Sequence, residues 1–226
     1  MENEKNLNQF RREDRTVHTI YANDAKRDVK TNLHKINVNK DASISDTGNL
    51  PYCLKLCEGS RVMLTKNMDI SDHLINGAIG TAINIHRREA STKPSGVIFV
   101  RFDDEKAGNN KKSNRRRQEL KDCVPIEVVS EQFSVSTNKT KYSDLTGERQ
   151  QFPLTVAHAM TIHKSQGSTI PYLTGDMDRT SKNPKYPSPV DPGMFYTLLS
   201  RATSSDTVKI VNFKEDVVKC NHHAKK

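Results

Sequence analysis

The sequence predicts an α/β protein that carries a smaller all-β unit within it. Residues 16–22, TVHTIYA, are rich in β-forming residues, and residues 23–33 then offer charged and apolar positions typical of a helix with an Asn or Asp cap. Residues 54–85 instead alternate short apolar runs with glycine turns, including Asn76-Gly77. The first pattern is typical of strand-helix units and the second of a small barrel.

Composition favours an anionic partner. The 226 residues include 36 Lys and Arg against 27 Asp and Glu, for a net charge of +9. Nucleic acid is the natural candidate, although a soluble basic protein without such a partner has the same balance. No apolar run approaches the roughly 18 residues of a membrane span, so we expect no membrane partner.

The cysteines predict reduced thiols. Four cysteines in a chain of this length are too few and too irregularly placed for a secreted disulfide framework. Zinc is an alternative, but neither possible ligand group has paired CxxC spacing, so we expect buried or half-buried thiols. The two groups are Cys53 and Cys57 with His73 or His86, and Cys220 with His222 and His223. The opening ENEKNLNQFRRED lacks the apolar core of a signal peptide, which favours the cytosol or nucleus.

Loops divide the chain. Residues 41–48 turn to Ser, Asp, Thr and Gly and mark a boundary. Residues 107–117, AGNNKKSNRRR, form a basic loop that is a phosphate-contacting finger, a nuclear-import patch or only a solvated segment. Residues 174–192 contain too many prolines for a regular helix, and we expect an irregular loop there. Residues 96–104 and 125–129 fit further strands.

Two short blocks concentrate the chemistry. In residues 151–167, QFPLTVAHAMTIHKSQG, an apolar run is followed by hydroxyl, imidazole and ammonium groups. The block ends in a glycine that allows close backbone approach. Residues 194–203, MFYTLLSRAT, place Arg201 near the end of a predicted helix. Taken singly, each block also fits an exposed polar turn or a surface arginine. We interpret His158, within the first block, as a packed neutral ring.

The two blocks together resemble motifs V and VI of Pif1-like DNA helicases, which belong to the RecD-related superfamily 1B. A third stretch is similar to the SH3-like 2B insertion of the same family, from a Gly-x-x-Val-Met-Leu strand to an Asn-Gly-x-x-Gly turn. Its matching residues are Gly59, Val62, Met63, Leu64, Asn67, Asn76, Gly77 and Gly80. Residues 19–37 resemble the opening of the family's second RecA-like domain, where an Asn precedes a Leu, here Asn32 and Leu33. Relatives often carry an aromatic residue where this chain has His158.

This resemblance implies a domain order. Residues 1–15 are then a polar tail, 16–49 the first part of RecA-like domain 2A, and 50–150 an inserted SH3-like 2B domain that carries the basic loop. Residues 151–213 complete domain 2A, a parallel sheet with flanking helices, and 214–226 form a second polar tail. The chain is then the C-terminal half of such a helicase. Helitron-type transposon proteins carry the same module, and the sequence does not separate those origins.

The resemblance also implies an activity, in which ATP hydrolysis drives 5′ to 3′ movement on single-stranded DNA in DNA repair and recombination. Arg201 is the implied arginine finger. The implied nucleotide contacts are Gln166, Gly167 and Arg201, and the implied DNA contacts are Thr161, His163, Lys164, Ser165 and Asn76.

The chain lacks one part of such an enzyme. A phosphate-binding loop reads GxxxxGK[ST], and no glycine here is followed by lysine. We therefore expect ATP and Mg²⁺ to be shared with an N-terminal RecA-like domain 1A outside this sequence, and no autonomous ATPase activity. The alternatives are a non-enzymatic single-stranded nucleic-acid-binding module and a decayed or partial gene product. The implied location is the nucleus, with mitochondrion or cytoplasm as alternatives.

Overall fold

The computed structural model describes residues 2–13, 15–27, 34–35, 44–87, 94–112, 118–134, 146–177, 193–215 and 218. Their contacts divide the chain into two compact units, Met1–Ala159 and Met160–Lys226. Among the described residues, no helix is both long and apolar enough to cross a membrane.

The described residues of the first unit form an α-helix, two short 3-10 helices (Ile44–Thr47 and Gln118–Leu120) and antiparallel strands. The helix is α1, Glu2–Arg12. The strands are β1 (His18–Tyr21), β2 (Asn23–Arg27), β3 (His34–Lys35), β4 (Cys53–Leu56), β5 (Arg61–Leu64), β6 (Ile79–His86), β7 (Val97–Phe102), β8 (Val124–Glu127), β9 (Val129–Ser134), β10 (Thr146–Gln151) and β11 (Leu154–Val156). They form a β1-β4 pair, a sheet of order β3-β2-β10-β9 and a sheet of order β11-β5-β6-β7-β8.

One apolar core joins the five-stranded sheet to the β1-β4 pair. Alternating inward residues of β6 and β7 build its centre, as the period-2 pattern of a half-buried strand requires. Its members include Ile20, Leu54, Leu56, Val62, Leu64, Ala82, Ile98, Val100, Ile126, Phe152 and Leu154. The strands expected at residues 54–56, 62–64, 79–85, 96–104 and 125–129 are therefore confirmed as β4 to β8.

The helix expected at residues 23–33 was wrong over its first part. Residues 23–27 form β2, which pairs antiparallel with β10 from Asn23 opposite Gln150 to Arg27 opposite Thr146. A partner more than 100 residues away supplies these backbone hydrogen bonds, and such pairing overrides a local helical pattern. The rest of the expected helix, with Asn32 and Leu33, lies outside the described residues.

The stretch expected as an N-terminal polar tail contains α1. Its Leu7 is buried, with 7% of its surface exposed, while the neighbouring charged residues face outwards. Asn3, Leu7 and Phe10 are spaced by four and three residues, which places them on one helical face. A single apolar face therefore docks a helix whose overall composition is polar.

The second unit combines β12 (Leu173–Asp176), α2 (Met194–Leu199) and β13 (Val208–Val211). The two strands pair in parallel, from Leu173 opposite Val208 to Asp176 opposite Val211. The irregular loop expected over residues 174–192 is therefore wrong at its start, because residues 174–176 belong to β12. The proline-rich remainder, from residue 178, lies outside the described residues, as does the tail from residue 219.

Candidate nucleic-acid interface

A short capped turn opens the second unit. Residues Ile162–Ser165 form a 3-10 helix, and Thr161 precedes it in an extended conformation, with φ −73° and ψ 153°. The Thr161 hydroxyl and carbonyl both accept the amide of Lys164, at 3.4 and 3.0 Å. Threonine is suited to this N-cap because its hydroxyl satisfies an amide that has no partner within the helix. We call residues 161–167 the Thr161 turn.

The polar side chains of the turn differ in their exposure to solvent. Thr161, His163 and Lys164 are exposed. Ser165 is only 3% exposed, and its hydroxyl donates to the Ile162 carbonyl at 2.7 Å. Ser165 therefore stabilises the turn from inside, while the other three side chains form its outer surface.

The end of the turn leaves backbone accessible. Gly167 has φ +82°, which favours glycine, and a Cβ atom there would meet nothing within 4 Å. Gln166 is exposed beside it. An open cleft of about 240 Å³ lies between this turn and the start of α2. Its lining residues are Ile162, His163, Gln166, Gly193, Met194, Tyr196 and Thr197.

Arg201 follows α2 and is tied to the residue after the turn. Its Nη1 donates to the Ser168 carbonyl at 3.4 Å, and its Nη2 donates to the Ser200 hydroxyl at 3.0 Å. Its Nε is buried and has no hydrogen-bond partner among the described residues. Because a buried N–H without a partner is unfavourable, this guanidinium still has a donor to satisfy.

The segment that follows the first block also meets the second block through its backbone. The Ile170 amide donates to the Arg201 carbonyl at 2.8 Å, and Ile170 forms a parallel bridge with Ala202. Leu173 and Met177 pack with Leu198 of α2 beneath this junction. The structure thus brings Gln166, Gly167 and Arg201 to neighbouring backbone segments.

Sequence reasoning missed the role of Gly175 in this unit. A Cβ atom at Gly175 would lie 2.3 Å from Cδ2 of Leu198 and 3.2 Å from Cδ1 of Ile210. Glycine therefore lets α2 approach β12 closely. An isolated glycine within a short apolar strand is the sequence signal that was available.

Asn76, the remaining predicted DNA contact, lies in the first unit. Its side chain is exposed, and its amide donates to Oδ1 of Asn67 at 2.7 Å. The following Gly77, with φ +95°, donates to the Leu64 carbonyl at 2.9 Å. Asn67 and Gly77 thus fix the turn that presents the Asn76 side chain.

The basic loop has an ordered base. Asp72 is 3% exposed, and both its carboxylate oxygens accept the Asn110 amide, at 3.1 and 3.2 Å. The Asp72 carbonyl also accepts the Gly108 amide at 2.7 Å. Ala107 and Gly108 are buried, contrary to a fully solvated loop. Residues 113–117, with the three consecutive arginines, lie outside the described residues.

His158 packs within the first unit, as its interpretation as a structural residue requires. Its Nε2 accepts the Arg61 amide at 3.2 Å, and its ring lies 5.5 Å from that of Phe10. Burial lowers the pKa of His158, and the nearby Arg61 charge lowers it further. Neutral imidazole is the form that accepts a hydrogen bond at Nε2.

The cysteines behave as packed thiols where they are described. Cys57 is buried, Cys53 is half-buried, and both are free thiols. Burial raises the pKa of Cys53, and that of Cys123. In the described part of the chain, no three His, Cys, Asp or Glu side chains cluster as metal ligands. Cys220, His222 and His223 lie outside it.

The sequence is similar to curated proteins over about three quarters of its length. No protein-family profile matches the sequence. The uncharacterized protein 030L of Invertebrate iridescent virus 6 is 26% identical over 202 residues, covering 77% of this chain and 36% of the viral protein. The human ATP-dependent DNA helicase PIF1 is 30% identical over 169 residues, covering 74% of this chain and 21% of the human protein.

Solved structures show the same fold. The crystal structure of Pif1 helicase from Candida albicans matches 99% of this chain and 45% of its own, with a TM-score of 0.62 and 23% identity. Bacteroides Pif1 in complex with ADP-AlF3 and ssDNA matches 98% of this chain and 41% of its own, with a TM-score of 0.59 and 20% identity. The chain thus spans less than half the length of each relative it matches.

The chain has the fold of one part of a helicase. Its sequence and fold matches extend over most of the 226 residues and are to Pif1 helicases. The chain is Pif1-like, as the resemblance in its two blocks predicts.

Proposed function

We propose that this chain supplies RecA-like domain 2A of a Pif1-like 5′ to 3′ ATP-dependent DNA helicase. The observation that carries the proposal is the hydrogen-bonded junction of the Thr161 turn with Arg201, through Ser168 and Ile170. It brings the proposed DNA-binding turn and the proposed arginine finger to adjoining backbone segments. Movement on DNA requires that ATP hydrolysis and strand contact be coupled, and this junction is a direct route between them.

The Thr161 turn is the proposed contact to single-stranded DNA. A motor that steps along every sequence must hold the sugar-phosphate backbone rather than base edges. Thr161, His163 and Lys164 offer hydrogen-bond donors on the exposed side of the turn. Ser165 contributes by holding the turn, and Asn76 is a separate contact from the first unit. The net charge of +9 supports the same ligand.

Arg201 and the end of the turn are the proposed contacts to ATP. The guanidinium of Arg201 lies next to the segment that follows the turn and suits phosphate oxygens, and the open backbone at Gly167 suits close approach of a nucleotide. ATP with Mg²⁺ would supply the phosphoryl group and its charge, and Arg201 would offset that charge beside Gln166 and Gly167. The phosphate-binding loop and the remaining nucleotide contacts would come from domain 1A.

The first unit supports a 2B assignment for its antiparallel core. We propose that residues 50–150 are the SH3-like 2B domain inserted into domain 2A, with the base of the basic loop held by Asp72. Residues 16–49 and 151–213 would then belong to domain 2A. A role in DNA repair and recombination, in the nucleus, fits the same assignment.

The test of the arginine finger uses a protein in which this chain is joined to domain 1A, which carries the phosphate-binding loop. Because an arginine finger stabilises charge in the transition state, Arg201→Ala should lower DNA-stimulated ATP hydrolysis by about a thousandfold or more. Oligonucleotide affinity should stay within about twofold, because phosphate contacts of the Thr161 turn supply it. Lys209→Ala, an exposed charge on β13, is the matched control. Unchanged ATP hydrolysis in Arg201→Ala would contradict the assignment.

A second candidate function is a non-enzymatic single-strand-binding module. The exposed hydroxyl, imidazole and ammonium groups of the Thr161 turn favour it, because such groups can contact a phosphate backbone without a nucleotide. This function predicts salt-sensitive binding of oligonucleotides with no ATP turnover, in the protein as it is expressed. DNA-stimulated ATP hydrolysis by the native protein would exclude it.

A further inference from the structure

The side chain of Asn3 closes the backbone at the end of β11. Its Oδ1 accepts the Ala159 amide at 2.7 Å, and its Nδ2 donates to the carbonyls of Ala159 and Val156, at 3.0 and 3.4 Å. Both backbone groups of Ala159 are therefore satisfied by one side chain from the other end of the unit. A neighbouring strand would otherwise have to supply these bonds.

Apolar and aromatic contacts hold α1 in the same place. Leu7 is buried, and the Phe10 ring lies 5.5 Å from that of His158, which follows β11. The Arg15 guanidinium lies 5.1 Å from the centre of the Phe10 ring and donates to the Glu58 carbonyl at 3.2 Å. Asn3 thus belongs to a packed helix rather than to a free terminus.

Ala159 is two residues before Thr161 in the chain. We propose that α1 is a positioning element for the Thr161 turn, and that Asn3 acts by fixing the backbone from which this turn begins. A turn that starts from an ordered residue loses less conformational freedom when it binds a ligand. The proposal rests on the proposed function for the identity of that ligand, single-stranded DNA.

The variant Asn3→Ala tests this proposal without a change of charge. Asn3→Ala removes all three hydrogen bonds, whereas Asn3→Asp keeps an acceptor for the Ala159 amide. Asn8 is an exposed asparagine of the same helix, so Asn8→Ala is the matched control. Neither alanine variant changes the number of cationic side chains that can contact the phosphates of the oligonucleotide.

Hydrogen exchange and oligonucleotide binding are measured on the 226-residue chain. Asn3→Ala should speed exchange at the Ala159 amide by about tenfold, and Asn3→Asp should retain part of the protection. Asn3→Ala should also weaken binding of a thymidine oligonucleotide by about three- to tenfold, with its salt dependence unchanged. Asn8→Ala should alter neither quantity.

Two results would overturn the proposal, and they are distinct from failure of the proposed function. Unchanged exchange at Ala159 in Asn3→Ala would show that the side chain does not hold the backbone. Faster exchange with unchanged oligonucleotide affinity would show that the turn does not depend on α1. Failure of the wild-type chain to bind the oligonucleotide would instead contradict the proposed function, and the positioning role with it.

Discussion

Asp24 and Arg149 lie opposite each other on β2 and β10 and form a buried bidentate ion pair. Nε and Nη2 of Arg149 lie 2.7 and 2.9 Å from the two Asp24 carboxylate oxygens. Nη1 donates to the Thr47 hydroxyl and the Leu50 carbonyl, at 2.9 and 3.0 Å. Arg149 is 1% exposed, so nearly all of its guanidinium has exchanged water for protein partners. This pair fixes the register of the sheet that joins residues 23–27 to residues 146–151.

Removal of one member of this pair should strongly destabilise the first unit. Arg149→Ala leaves the Asp24 carboxylate buried without a counter-charge, which typically costs about 3–5 kcal/mol. The free energy of unfolding, from urea titration followed by circular dichroism, measures this cost.

The matched control is the exposed ion pair between Arg61 and Asp103. Asp103→Asn should cost less than about 1 kcal/mol, because water screens that pair. Equal losses in Arg149→Ala and Asp103→Asn would show that burial does not distinguish the two pairs.

His158 predicts a pH dependence of stability. Its pKa is lowered in the folded protein, mainly by burial, so below its ordinary value of 6.5 the unfolded chain binds the proton more readily. The contribution of neutral His158 is complete above pH 6.5 and is lost as the pH falls from there through the lower folded pKa. Urea midpoints measured between pH 7.5 and pH 5 should therefore fall with the pH.

The variant His158→Gln isolates this effect, because its side-chain oxygen accepts a hydrogen bond without titrating. The difference in stability between wild type and His158→Gln should shrink or reverse as the pH falls. A constant difference across this range would contradict the assignment to His158.

Close packing around Gly175 predicts that a larger side chain at this position destabilises the second unit. Gly175→Ala places a methyl group against Leu198, and such overpacking typically costs about 1–3 kcal/mol. The double variant Gly175→Ala/Leu198→Ala should be more stable than the sum of its single changes predicts, because the shortened side chain makes room. Thermal unfolding measures this coupling, with Thr174→Ala on the exposed side of β12 as control. Additive effects would contradict close packing at Gly175.

Local patterns predicted much of the antiparallel core. Apolar alternation and short apolar runs located β5 to β8, of which β5 and β7 bury residues on both faces. The same reasoning failed at residues 23–27, where only the distant partner strand around Arg149 explains an extended conformation. It also missed α1, because the residues that dock this helix, Asn3, Leu7 and Phe10, stand among mainly polar residues in the sequence.

The candidate site was predictable as residue types but not as a geometry. The sequence indicated Thr161, Lys164 and Arg201 because hydroxyl and cationic groups suit phosphates. It did not indicate that the Ser165 hydroxyl points into the turn, since a serine side chain serves backbone or ligand equally well. The hydrogen bond from Arg201 to Ser168 joins residues 33 positions apart and depends on the parallel pairing of the second unit.

The most direct test of the central claim is a fluorescence anisotropy titration of a labelled thymidine oligonucleotide with the 226-residue chain over a series of salt concentrations. The account predicts salt-sensitive binding that Lys164→Ala weakens, with the slope of log K against log salt reduced by about 0.7 for the lost phosphate contact. Lys209→Ala, which removes an equal charge from the exposed side of β13, should leave both quantities unchanged. Equal affinities and slopes for wild type and Lys164→Ala, or equal losses in the two variants, would contradict a DNA-binding role for the Thr161 turn.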